Sequence, residues 1–270
     1  MPATPPKNAL QICTLDQLDL KDVRSFRHVG LYEALEKVLV DAQYRFRVLP
    51  ETEAERWDRA LLLNLTFWGA DEGGDVLVDR RLDADVVTHA AWHHLASREL
   101  RVASSRPSAA TLFLGESIAS AFDLYLVGRL IGHSPKSTFL ATQVPAMADS
   151  AAAAGLSEGD FEGLIEGVVA DPERAFEDLR ALLFDVTTRS MDCRNVSEAY
   201  DVLASFDDHR FASLLHHYEL SNWILYARAY AATGDEARPS DERARGIDRT
   251  LRDAKVSLDW LEREWVNRRA

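Results

Sequence analysis

Apolar residues recur at helical spacing in GLYEALEKVLVDA, where Leu31, Leu35, Val38 and Leu39 share one face and predict an amphipathic helix. The period then changes to two. In QYRFRVLP, Tyr44, Phe46 and Val48 alternate with Gln43, Arg45 and Arg47, which predicts a strand that Pro50 ends. RALLLNLTFWG fits either period: its Leu-rich start favours helix, and its second half, running into Gly69, reads as strand. ADEGGD is a turn and DVLVD a short alternating strand. DADVVTHAAWHHLASREL is a helix with Asp83 or Asp85 as its N-cap. SSRPSAATLFLGESIASAFDLYLVGRLIG starts at the Ser105 and Pro107 signals and stops at Gly132; being apolar all round, it predicts a helix buried on most sides. Ahead of these, residues 1–9 are proline-rich and LDQLDLKDVRSF is long enough to begin a short helix. Residues 1–25 therefore read as an N-terminal arm and 26–145 as a core of helix, short antiparallel sheet and two helices.

After Pro145 the pattern becomes wholly helical. MADSAAAAGLSEGD is small and polar, which predicts a boundary or loop. Ser157 with Asp160 resembles a capping box, and Asp171 followed by Pro172 is a strong helix start. VSEAYDVLASF and HRFASLLHHYELSNWILYARAYAATG follow as helices, the latter ending at Gly234. Ile247, Leu251, Ala254, Leu258, Leu261 and Trp265 then step by four and three, an apolar seam along one last helix. Three heptads are few for a coiled-coil partner, so the seam is expected to dock on the chain's own bundle. The fold class expected is α+β and predominantly α-helical, with residues 146–270 a C-terminal helical region packed on the core.

Composition narrows the function. With 47% hydrophobic and 28% charged residues, the 270-residue chain is that of a globular protein. Its net charge of −13 would repel phosphates and anionic lipid, so nucleic acid and membrane surfaces are not expected partners. No secretory signal is evident at the start and no apolar run is read as long enough to span a bilayer, so a cytoplasmic location is expected. Cys13 and Cys193 stand far apart, which excludes a disulfide framework and a thiolate zinc knuckle. Walker, GxGxxG and GxSxG patterns are absent.

The stretch THAAWHHLA carries the candidate chemistry. His89 and His93, four apart, lie on one face of a helix, where two imidazoles reach one cation. Glu116, early in the following helix, would complete the ligand set if the two helices pack side by side. Ser120 and Asp123 lie one and two turns further along, placed to accept a free imidazole N–H. The other reading is a pair of hydrogen-bonded core histidines. Glu116 weighs against it, because a carboxylate between LFLG and SIASAF wants a cationic or donor partner.

This order of elements resembles that of gluzincin-type zinc metallopeptidases, which carry HExxH on one helix, a glutamate ligand on the next and a strand just before. The resemblance covers roughly residues 30–131. It implies a zincin-like core, zinc as cofactor, His89, His93 and Glu116 as ligands, and Asp123 or Ser120 supporting His89. The chain departs from the family at Ala90, which replaces the glutamate that takes the proton from the attacking water. General-base help is worth about two to four orders of magnitude, so a degenerate, non-peptidase or altered hydrolase is expected. His94 and Glu99 are poorly placed to substitute, whereas His133, or His216, His217 and Glu219, would have to fold over the site. The cluster LLHHYELSNWILY, with His216 and Glu219 three apart, also admits a di-iron oxidase-like bundle, with iron in place of zinc. A third alternative is a metal-free helical interaction module that binds a protein or peptide through its last helix or acidic surface.

Overall fold

The computed structural model describes residues 10–53, 76–102, 106–134 and 136–268. The proline-rich start, RALLLNLTFWG, ADEGGD and Ser105 lie outside them. Five short strands come first among the described elements, with two helices between them. Strand β1 (Gln11–Thr14) pairs antiparallel with β3 (Arg45–Val48), bringing Gln11 opposite Val48 and Thr14 opposite Arg45. Strand β4 (Val76–Leu77) joins the other edge of β3 in parallel. Strand β2 (Asp19–Lys21) makes a separate parallel pair with β5 (Arg81–Asp83). The N-terminal stretch thus supplies two strands, with Cys13 and Leu15 buried. Helix α1 (Val23–Phe26) is a single turn, and α2 (Tyr32–Asp41) buries Tyr32, Leu35 and Leu39 on the face its periodicity predicts.

Helix α3 (Ala84–Leu100) follows β5 directly, and α4 (Ala109–Leu130) begins at Ser108, whose hydroxyl accepts from the Thr111 amide. No run of spanning length was expected from the apolar pattern. By length and composition α4 is nonetheless long and apolar enough to cross a membrane, yet 89% of its most apolar window is buried by its neighbours. Neighbouring elements approach it closely at its glycines. A Cβ on Gly115 would stand 3.3 Å from Cβ of Ala96 in α3, and one on Gly128 would stand 2.8 Å from the Val168 carbonyl oxygen.

Helix α5 (Thr138–Ala153) runs through Pro145, so the change of composition there is not a break in the chain's structure. The small polar residues mark only the turn before α6 (Glu158–Ala170), capped as expected by Ser157 accepting from the Asp160 amide. Helix α7 (Pro172–Ser190) starts at Asp171, which caps Arg174, with proline in the first turn. Helix α8 (Val196–Ala204) follows with Asn195 as its cap.

Two long helices read from the sequence are each broken. A 3₁₀ segment (Ala212–Tyr218) gives way to α9 (Leu220–Tyr230) across Glu219, which takes a left-handed φ of 47°. No helix continues through such a residue, so His216 and Glu219 do not share one helical face. The last helix likewise divides into α10 (Gly234–Asp253) and α11 (Ser257–Leu261), continued by a π-turn at Glu262–Val266. Ala254 is extended between them. Leu251, Leu258, Leu261 and Trp265 are all buried nonetheless. The break turns the second half of the seam toward α7, and the docking expected of the seam is kept. One contiguous core takes in Leu35, Phe46, Trp92, Phe122, Phe176, Leu214 and Trp265, from both halves of the sequence. The fold is α+β and predominantly helical.

Candidate metal centre

Helices α3 and α4 pair antiparallel, because His89 meets Asp123, His93 meets Glu116 and Ala96 meets Gly115. Small residues at positions 96 and 115 let the helices approach, and that approach brings polar side chains one helical turn apart into register. His89 and His93 turn Nε2 toward each other at 3.2 Å, with ring centroids 4.9 Å apart. Nε2 of His93 lies 3.4 Å from Oε1 of Glu116. One ligand atom from each of the three residues falls within 4.8 Å of the others. Ligand atoms around a tetrahedral ion with bonds of about 2.05 Å stand about 3.3 Å apart. The two short separations match that edge, so these side chains form a cluster that can hold a metal ion.

The protonation states suit ligation. Burial, and then the neighbouring His89, hold His93 well below the ordinary histidine range, leaving it neutral with a lone pair to offer. Nδ1 of His89 lies 3.1 Å from Oδ2 of Asp123, and donation of its N–H to that carboxylate turns a bare Nε2 to the shared point. Asp123 thus stands in hydrogen-bond contact with the outer nitrogen of His89. Ser120, though buried, has no hydrogen bond to either imidazole.

The remaining sequence candidates are divided. His94 packs edge-on against Tyr44, 5.6 Å between centroids, off the His89–His93 face. Glu99 is engaged by Arg98 at 2.8 Å and Arg268 at 3.2 Å. His133 is exposed beside the Ile131 carbonyl. His216 is exposed, and Glu219 accepts from Asn222 at 2.8 Å. His217, whose pKa burial lowers, feels the charge of Asp123.

Three buried or half-buried ionisable residues that sequence reading passed over or used otherwise feel the charge of Asp123 or of Asp85. Asp85, a candidate cap in the sequence, lies one turn before His89; burial and the charge of Asp123 push its carboxyl up to about 7. Its spacing, 85-89-93, is a signal that sequence reading did not use. Tyr218 and Tyr32 point buried hydroxyls without partners, both raised by burial, then by Asp123 for Tyr218 and by Glu36 and Asp85 for Tyr32. No local pattern reveals those two, since each arrives from a distant part of the chain. Compared with protein-family models, curated proteins and solved structures, the chain matches none.

Proposed function

We propose that the chain is a zinc-binding protein whose metal is held by His89, His93 and Glu116, in a core resembling that of a gluzincin hydrolase without its general base. The observation that carries this reading is the pair of separations, 3.2 and 3.4 Å, between ligand atoms whose outer partner, Asp123, is already in place. A bound zinc would supply a Lewis acid there. The chain's own residues hold and orient it: two neutral imidazoles and one carboxylate bind, and Asp123 fixes the ring of His89. Ala90 is packed in the apolar core and transfers no proton. Glu99 and His94, the nearest substitutes along the helix, are occupied elsewhere. The function proposed is therefore metal-dependent binding or an altered reaction, not ordinary peptide hydrolysis.

Elemental analysis of the purified protein tests the reading. One zinc per chain is expected, falling below one tenth in His93→Ala with the helical circular dichroism retained. Asp123→Asn should keep the fold and weaken zinc about 10- to 100-fold, the usual effect of removing an outer partner. Stoichiometric iron instead would favour the iron alternative, since two histidines and a carboxylate also suit that metal. A metal-free protein overturns both.

A further inference from the structure

Helix α8 is amphipathic in sequence, yet none of its residues is fully buried. Val196, Tyr200 and Leu203 follow at intervals of four and three, so they form one stripe along it. Val196 is 86% exposed and Tyr200 69%. Leu203 lines a cavity of about 510 Å³ together with Leu215 of the 3₁₀ segment and Leu220, Ser221 and Asn222 of α9. Seven residues make two helical turns to within about 20°, so Val196 shares the face of Leu203. On α9, Leu225 lies one turn beyond Ser221, on the face that lines the cavity, and is 63% exposed. The cavity sits where α8 ends and α9 begins. At the other end of α9, Arg228 donates to the carbonyls of Ser190, Met191 and Cys193, just ahead of α8. The two helices therefore run antiparallel, with the cavity at one end of the trough between them.

An exposed apolar strip of this kind marks a surface that a partner covers, and the charges around it say which partner. Residues 191–230 hold six Asp and Glu against three Arg and no Lys. All six acids are exposed. Two of the arginines are engaged, Arg228 with the carbonyls ahead of α8 and Arg210 with Asp178 at 2.9 Å. Asp201 follows Tyr200 on the flank of the stripe, and Glu219 lines the cavity. A second copy of the chain would bring the same acids face to face, and an anionic lipid surface would be repelled. Charge complementarity selects a basic partner.

We propose that the trough between α8 and α9 is a docking surface for an amphipathic helix of another protein, apolar on one face and bordered by lysine or arginine. Its apolar side chains cover Val196, Tyr200 and Leu225 and fill the cavity, as in other helix-in-groove complexes. Its basic side chains meet Asp201 and Glu219. The surface is built from other elements than the metal centre, so the inference stands apart from that reading.

The test titrates the full chain into three fluorescently labelled peptides of about 14 residues, close to four helical turns, and follows anisotropy. The first is built of leucine and lysine in a helical pattern with one apolar face. The second has the same composition in scrambled order, and the third has glutamate in place of lysine. The wild type is expected to bind the first about tenfold more tightly than either of the others. Tyr200→Ser and Leu225→Ser change exposed positions and should keep the helical circular dichroism. Each should weaken binding of the first peptide about tenfold, the effect of losing one anchoring contact. Ile12→Ser, which removes an exposed apolar residue of β1, should leave it unchanged. Equal affinity for the first and second peptides, equally tight binding of the third, or no binding at all overturns the inference. So does an affinity that survives both Tyr200→Ser and Leu225→Ser, or one that falls as far in Ile12→Ser. A wild type that sediments as a dimer, with Tyr200→Ser a monomer, gives the trough to a second copy and overturns it too.

Discussion

Ala90 lies at 0% exposure inside the apolar core, on the same helix as both histidines. Restoring the sequence HExxH by Ala90→Glu therefore would not restore a base. It would bury a carboxylate among hydrocarbon, at a cost of roughly 3 kcal/mol or more. Thermal unfolding should show a marked drop in Tm, and metal-dependent hydrolysis should not appear. Asp85 gives a second prediction at this scale. Its folded pKa, about 7, stands above the ordinary carboxylate value, so folding favours the protonated form. That stability is complete below about pH 4 and is lost as pH rises through 7. Asp85→Asn in the metal-free protein should leave the Tm near that of the wild type at pH 4 and raise it at pH 8. Asp83, Asp123 and His89 act on the same carboxyl, and they are common to both proteins in that comparison. His89, His93, Glu116 and Asp123 were legible in the sequence because helical spacing is local and both helices declare themselves strongly. Tyr218 was not, since its place depends on how residues 212–218 fold back over α5.

At the scale of elements, α4 sets the geometry of the site through its glycines. Gly128 meets the end of α6 and the start of α7, where an added Cβ would come within 2.8 Å of the Val168 carbonyl and 3.1 Å of Pro172. Backbone and a rigid ring do not yield easily there. Gly128→Ala should cost about 1–3 kcal/mol in chemical denaturation. The helix starts at Ser157 and Asp171 were legible because capping is written in a few adjacent residues. Strand β1 was not, because four residues without alternation carry no period, and only pairing with β3 makes them a strand. The breaks at Glu219 and Ala254 escaped for the same kind of reason. Apolar spacing continues across both, while the backbone does not.

For the whole molecule, the buried cluster runs without a break from the first 145 residues into the C-terminal helical region. The C-terminus reaches back to the metal-site helix: Arg98 of α3 donates to the Trp265 carbonyl at 2.6 Å, and Arg268 pairs with Glu99. Arg180, fully buried, joins Glu177 and Asp248 across α7 and α10. Such a molecule should unfold as one unit. Trp265→Ala is expected to cost about 3–5 kcal/mol and to lower the single thermal transition without splitting it. The central claim, one zinc ion between α3 and α4, is tested most directly by anomalous scattering from crystals at the zinc edge. The account predicts a single peak about 2 Å from Nε2 of His89, Nε2 of His93 and a carboxylate oxygen of Glu116. A zinc peak elsewhere, or none in crystals grown with zinc, would contradict it.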